Sequence, residues 1–213
     1  MENNFAVEKS RMIKEQLRGR GIKDERIIQA FRDTPRHLFV PQGYRNRAYA
    51  DRPLPIGDGQ TISQPYIVAF MTELLELAGD ERVLEIGTGS GFQTAILARI
   101  VDDVFTVERN GDLQARGESV IKSLGIDNVH YSVHDGTVGW KRYAPYERIL
   151  GTGGVPEVPS SLLDQLDEAG LIVIPVGSKR QQRLYKVKKR GQKVTYSKGV
   201  YCSFVPLVGS EGW

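Results

Sequence analysis

Cysteine is almost absent. The 213 residues contain one, Cys202, which excludes an internal disulfide and a thiolate metal cage. Histidine is nearly as scarce: residues 37, 130 and 134 are scattered along the chain and suggest neither a metal site nor a histidine general base. No apolar run approaches a membrane span, and the opening MENNFAVEKSRMIKEQL lacks the apolar segment of a secretory leader. A reducing cytoplasm is therefore the expected setting, with no membrane partner. A dominant charge sign is also missing. The 29 Lys and Arg against 26 Asp and Glu leave a formal net charge of +3, too weak and scattered for a nucleic-acid-binding face. The densest basic stretch, YKVKKRGQK, reads as a solvated β-hairpin turning at Gly191. What remains, 40% hydrophobic and 26% charged residues, is ordinary globular composition, long enough for one good core.

Along the chain, residues 5–17 carry apolar side chains at helical spacing, with Gly19 and Gly21 ending the pattern. DERIIQAF predicts a shorter helix capped by Asp24. The next stretch, TPRHLFVPQGYRNRAYADRPLPIGDGQ, has no sustained period and reads as a long loop, which inside a globular domain is usually functional or disordered. From Tyr66 helices and strands alternate. PYIVAFMTELLELAG, FQTAILARIV, DLQARGESVIKSLG and PSSLLDQLDEAG predict helices; RVLEIG, DVFTVE, NVHYSVHD, YERILG and LIVIPVG predict strands. QRLYKVKKR, KVTYSKGVY and SFVPLVG add further strands at the end. Strands separated by helices imply parallel pairing through right-handed crossovers. The expected fold is α/β: a Rossmann-like, doubly wound, mainly parallel sheet with antiparallel C-terminal strands and an N-terminal helical extension. Residues 1–64 read as the helical subdomain and substrate loop, and 65–213 as the cofactor-binding core, the whole forming one compact unit.

The chemistry concentrates in LEIGTGSGFQTAIL, where Gly87, Gly89 and Gly91 form a turn after the first core strand. In doubly wound sheets that rim is where ligands bind. No Lys follows the last glycine, so a phosphate loop is excluded. The dinucleotide pattern needs a glycine where Phe92 stands. An adenosine-bearing ligand without a pyrophosphate remains. Glu108, ending the next strand, is placed to accept both ribose hydroxyl protons, and Asp135, after the third, to take an adenine amino group. Each acid alone is more commonly a cap or turn former; both behind a glycine turn are a stronger signal. Glu85 inside the first strand is an unusual buried charge unless it faces the turn amides or a ligand ammonium group.

VLEIGTGSGFQTAILA, VER, HDG, VPEVP and FVPLVGSEGW, with RHLFVP and GDGQTISQP upstream, resemble the protein-L-isoaspartate O-methyltransferases over nearly the whole chain. GDGQTISQP is the specific element, because it resembles that family's substrate loop and not the shared cofactor fold. The resemblance implies a class I enzyme that transfers a methyl group from S-adenosylmethionine, leaving S-adenosylhomocysteine and using no metal. Its substrate would be the α-carboxylate of L-isoaspartyl residues in flexible segments of damaged proteins and peptides. It also implies that Glu108 holds the ribose, that Asp135 and Gly136 border the adenine, and that Gly87, Thr88, Gly89 and Gly91 line the methionine side beside Glu85. Ser63 would be the catalytic residue, binding substrate together with Thr61. A competing role for Ser63 is the N-cap of the helix that Pro65 begins.

The sequence departs from the resemblance at LGTGGVPEVP. Gly151, Gly153 and Gly154 replace a Val-Thr-Ala-Ala run, and a looser rim is expected. Two other functions stay open: methylation of a small molecule or RNA, and cofactor binding without transfer. The end of the chain near Val205 offers a strand to which an extended substrate segment would pair.

Overall fold

In the computed structural model, which describes residues 2–213, the alternation read from the sequence becomes a seven-stranded sheet. The chain opens with α1 (Glu2–Met12), continued by a π-helical turn (Ile13–Leu17) and a 3-10 turn (Arg18–Arg20). Gly21 ends it with φ at 94°, a conformation in which a side chain would be strained. The Asp24 side chain caps α2 (Glu25–Asp33) by accepting from the Arg26 N–H. The expected long loop is ordered. It holds two 3-10 turns (Arg36–Phe39 and Gln42–Arg47) and a hairpin of β1 (Leu54–Gly57) with β2 (Gln60–Ile62). Asp58 and Gly59 turn the hairpin with positive φ at both positions, 53° and 70°, the signature of a type I′ turn. Leu54, Ile56 and Ile62 are buried, which anchors the hairpin to the core and sets its register.

After α3 (Pro65–Leu74) come β3 (Arg82–Ile86), α4 (Phe92–Ala98), β4 (Asp103–Glu108), α5 (Gly111–Ser123) and β5 (Val129–Val133). Then follow β6 (Tyr146–Gly151), α6 (Ser160–Asp164), β7 (Leu166–Gly177), β8 (Gln182–Arg190) and β9 (Lys193–Cys202). The sheet order is β5-β4-β3-β6-β7-β8-β9. β5 through β7 are parallel, whereas β8 and β9 are antiparallel additions. Apolar side chains leave both faces of the central strands. Val83, Val104 and Val173 join the N-terminal helices in one cluster; Leu84, Phe105 and Ile172 join Leu162 and Tyr146 in another. Strand order reverses between β3 and β6, and the crevice beyond their carboxyl ends is where such sheets bind ligands. The basic run forms the expected hairpin around Gly191, with Lys186 and Lys188 paired to Glu76 at 2.5 and 2.9 Å.

Two expected elements differ. The helix over PSSLLDQLDEAG is only the five residues of α6. Asp167 accepts from the Ala169 N–H at 3.0 Å, a local turn that competes with helix, and residues 167–170 bulge from the ladder between the Tyr146–Leu166 and Arg148–Leu171 pairs. SFVPLVG is not a third strand. It contributes a single bridge between Gly154 and Pro206, and Pro206 has no N–H to extend a ladder.

Candidate active site

Three glycines in the turn after β3 have φ at 99°, 52° and 82°, and each serves a different contact. A Cβ on Gly87 would meet Thr152 Oγ1, whose hydroxyl donates to the carbonyls of Ile86 at 2.9 Å and Gly87 at 2.6 Å. Gly91 starts α4 against α5. A Cβ there would lie 3.1 Å from Gly117 Cα and 3.0 Å from Ile121 Cδ1, and a Cβ on Gly117 would lie 3.2 Å from Gly91 N. Gly117 therefore has a packing reason that outweighs its helix penalty of about 1 kcal/mol. Gly89 has open space on its side-chain side, with Ile56 Cδ1 at 3.8 Å. Its N–H donates to Glu108 Oε2 at 2.9 Å.

Glu108 is held by more than that bond. Its Oε1 accepts from the N–H groups of Arg109 at 2.8 Å and Asn110 at 2.9 Å. Backbone donors thus fix a carboxylate on the wall of a cavity of about 460 Å³, a volume suited to a small molecule. Thr61, Ser63, Gly87, Thr88, Gly89, Glu108 and Gly136 all line this cavity. Gly136 also meets a steric demand, because a Cβ there would lie 2.7 Å from Ile86 Cγ2.

Glu85, Gly91 and Asp135 are not on the wall. Glu85 is fully buried and faces neither turn amides nor ligand space. Its Oε2 accepts from Thr94 Oγ1 at 2.6 Å and Thr106 Oγ1 at 2.7 Å, and Thr106 meets Thr88 Oγ1 at 2.7 Å. Oε1 has no partner. Burial pushes the carboxyl up to about 8, against the hydrogen bonds that favour its ionised form. Since Thr106 donates its proton to Glu85, Thr88 donates to Thr106 and presents oxygen lone pairs toward the cavity.

Asp135 is occupied by the chain's own tail. One oxygen accepts from the Thr137 N–H at 2.9 Å and its hydroxyl at 2.7 Å; the other accepts from the Ser210 N–H at 2.7 Å and its hydroxyl at 3.0 Å. Burial alone would raise the carboxyl, but these bonds hold it below the usual range. The tail is tied further by Glu211, which accepts from the Ser160 and Ser161 hydroxyls, and by Lys179 over the Trp213 ring. Residues 204–208 consequently line the cavity as well, a role that the resemblance of FVPLVGSEGW does not assign them.

Ser63 stands where this cavity meets a second cleft. That cleft is also lined by Thr61, Thr152, Tyr201 and Pro206. The capping role does not hold: Gln64 is the N-cap residue of α3, and no side-chain cap bond is made. Instead the Ser63 carbonyl accepts from Arg36 Nη2 at 2.6 Å. Val205 is less available for strand pairing than expected, because its carbonyl already accepts from Gly154 N–H at 2.8 Å.

The rim at residues 151–154 is tight, not loose. A Cβ would lie 2.5 Å from Ile174 Cγ1 at Gly151, 2.7 Å from Leu207 Cγ at Gly153 and 3.0 Å from Gln182 at Gly154. Without side chains there, Ile174 fills from below and the tail docks from above, bonded by Leu207 N–H to the Gly154 carbonyl at 2.8 Å. Gly153→Ala should therefore displace Leu207 and destabilise the fold by about 1–3 kcal/mol, with faster proteolysis of the tail. Unchanged denaturant midpoint and unchanged cleavage would contradict tight docking.

Comparison with known proteins agrees with this geometry. Residues 7–212 match the family model described as protein-L-isoaspartate(D-aspartate) O-methyltransferase. The chain is 49% identical to a protein-L-isoaspartate O-methyltransferase of Trichlorobacter lovleyi, covering 99% of this chain and 97% of the relative. It is 50% identical to protein-L-isoaspartate O-methyltransferase 1 of Syntrophobacter fumaroxidans, covering 99% and 98%. A solved protein-L-isoaspartate O-methyltransferase superposes with a TM-score of 0.88 at 31% identity, over 96% of this chain and 67% of that one. A Plasmodium falciparum structure of the same description, in complex with S-adenosyl-L-homocysteine, gives 0.82 at 25% identity over 94% and 97%.

Proposed function

The chain belongs to the protein-L-isoaspartate(D-aspartate) O-methyltransferase family, and from that premise we propose that it methylates the α-carboxylate of L-isoaspartyl residues in damaged proteins and peptides, with Ser63 orienting that carboxylate. The observation that carries this reading is the shared wall: Ser63 and Glu108 line one cavity, and Ser63 also lines the adjoining cleft. S-adenosylmethionine, when bound, supplies an electrophilic methyl group on a sulfonium and leaves as S-adenosylhomocysteine. The residues present fit it. Glu108 would hold the ribose hydroxyls, Gly136 would border the adenine, and Gly87, Thr88 and Gly89 would border the methionine portion. Thr88, with its proton turned toward Thr106 and Glu85, would accept from an ammonium group. Gly91 and Asp135 act from behind the wall, one by letting α5 approach the turn and the other by anchoring the tail.

The chemistry needs no strong base. A carboxyl group with a pKa of about 4 is already ionised at neutral pH, so Ser63 has only to donate one hydrogen bond and fix the attack direction. Alignment of this kind contributes up to about 7–11 kcal/mol. Once the carboxylate is esterified, the neighbouring backbone amide displaces methanol and closes a succinimide, whose hydrolysis returns a share of normal aspartate. Substrate segments are flexible enough to enter the cleft. Residues 1–64 bring Thr61 and Ser63 to the substrate side, and 65–213 carry the cofactor turn together with Thr152, Tyr201 and Pro206 of the cleft, the two parts forming one unit. The proposed setting is the cytoplasm, with proteins and peptides as partners in place of membrane or nucleic acid. Separately, no helix among the described residues is long and apolar enough to cross a membrane.

Incubation with methyl-labelled S-adenosylmethionine and matched isoaspartyl and aspartyl peptides tests the activity: label should enter only the former and be released by mild alkali. Equal labelling of both, or alkali-stable label, would point to another acceptor. In the same assay Ser63→Ala should lower kcat by about tenfold, the loss of one orienting hydrogen bond, and leave cofactor affinity unchanged. A weakened cofactor with normal kcat would remove Ser63 from the substrate side.

A further inference from the structure

Directly behind Ser63 lies a cation with no counter-ion among the described residues. Arg36 is fully buried. Its Nε donates to the Ala48 carbonyl at 2.7 Å and its Nη2 to the Ser63 carbonyl at 2.6 Å, while Nη1 has no partner. The guanidinium lies over the Phe92 ring, 4.8 Å from its centroid, and Phe92 lines the cavity. Among the described residues the titratable group acting on Arg36 is Tyr49, a phenol that burial pushes up to about 12 and thereby keeps neutral. Burial draws the guanidinium down to about 9, so it stays protonated at neutral pH. A buried charge left without an opposite charge is strongly disfavoured in a fold that gains nothing from it.

We propose that Arg36 is a positioning residue whose uncompensated charge, transmitted through Ser63 and Phe92, makes the cavity selective for a carboxylate acceptor and against added positive charge on the methyl-carrying ligand. The inference rests on the assignment of this cavity to S-adenosylmethionine and an isoaspartyl carboxylate. It goes beyond that assignment by naming the source of the site's preference for an anion. Two carbonyl contacts fix where the charge sits, and the low-dielectric surroundings keep it unscreened by salt.

The two cofactor forms supply a probe. S-adenosylmethionine carries one more positive charge than S-adenosylhomocysteine and differs otherwise by a methyl group. A general loosening of the site weakens both alike, whereas removal of a nearby cation favours the more positive one. Kd values for both ligands, measured by calorimetry on the full-length protein, and KM for the isoaspartyl peptide should be compared in wild type, Arg36→Met and Arg36→Lys. In Arg36→Met the ratio of Kd for S-adenosylmethionine to Kd for S-adenosylhomocysteine should fall about tenfold and peptide KM should rise about tenfold, as for a unit charge acting over roughly 10 Å. Arg36→Lys loses the fork, and the same burial draws its ammonium toward neutrality, so it should hold both quantities near wild type at pH 6 and move toward the Arg36→Met values as pH rises to 9. Equal weakening of both ligands in Arg36→Met, or a lysine variant that behaves like the methionine one at pH 6, would overturn the proposal. If Arg36→Met does not fold, the lysine variant decides alone: a ratio that falls below the wild-type value as pH rises from 6 to 9 supports the charge, and a ratio that follows wild type at every pH removes it. Wild-type protein that binds neither ligand would overturn the cavity assignment, and this proposal with it, whereas normal binding with an unmoved ratio rejects only the role of Arg36.

Discussion

Glu108→Ala weakens S-adenosylmethionine binding by about two orders of magnitude. The carboxylate accepts from the N–H groups of Gly89, Arg109 and Asn110 while standing on the cavity wall. On the proposed ribose-holding role, its removal takes away the acceptors for the ribose hydroxyls and leaves these amides without a common anchor. A hydrogen bond to a charged group contributes about 1.5–3 kcal/mol, so two lost ligand bonds amount to roughly 3 kcal/mol. Glu108→Gln recovers little, because its amide nitrogen turns a donor toward backbone donors that need an acceptor. Calorimetric titration, with far-UV circular dichroism confirming the fold, reads the effect. A change below about threefold would remove Glu108 from the ribose site.

The second large effect is on stability and depends on pH. Burial pushes the Glu85 carboxyl up to about 8, whereas an exposed glutamate ionises near 4.3. Between these values the unfolded chain has released the proton and the folded chain retains it, so stability falls as pH rises. The contribution is complete below the unfolded value and is lost by the time pH passes about 8. Glu85→Gln cannot ionise, and its stability relative to wild type should increase by about 1.4 kcal/mol for each pH unit across this window. Denaturant unfolding at several pH values between 5 and 8 measures the difference, in which contributions shared by both proteins cancel. Parallel curves would mean that Glu85 is ionised in the folded state and that the Thr94–Thr106–Thr88 chain is organised around a carboxylate.

Features that depend on short-range pattern were readable in the sequence. The glycine turn and Glu108 are set by neighbouring strand ends, and the spacing between them fixes where both arrive. The hairpin of β1 and β2 carried its own signal in Asp58-Gly59 flanked by Leu54, Ile56 and Ile62, but the surrounding prolines and arginines hid the alternation. α6 ended early because a side-chain bond at Asp167 outweighed a plausible helical pattern. Asp135 looked like a ligand partner because nothing local reveals that Ser210 occupies it. Gly153 and Gly154 suggested looseness because propensity describes an isolated chain, whereas here the missing side chains admit Leu207 and Gln182. Arg36 stood inside the RHLFVP motif with no role assigned to it, since an arginine that ends up buried and without a counter-ion is indistinguishable in sequence from one in solvent.

One consequence follows from where the cavity takes its walls. Residues 60–63 and 204–208 both line it, although most of the polypeptide separates them. The pocket is thus a long-range product: it exists only after the sheet has zipped through β9 and the last segment has folded back. Contacts so distant in sequence close slowly, so competence to bind should emerge in refolding later than secondary structure does, and no excised half of the molecule should acquire it.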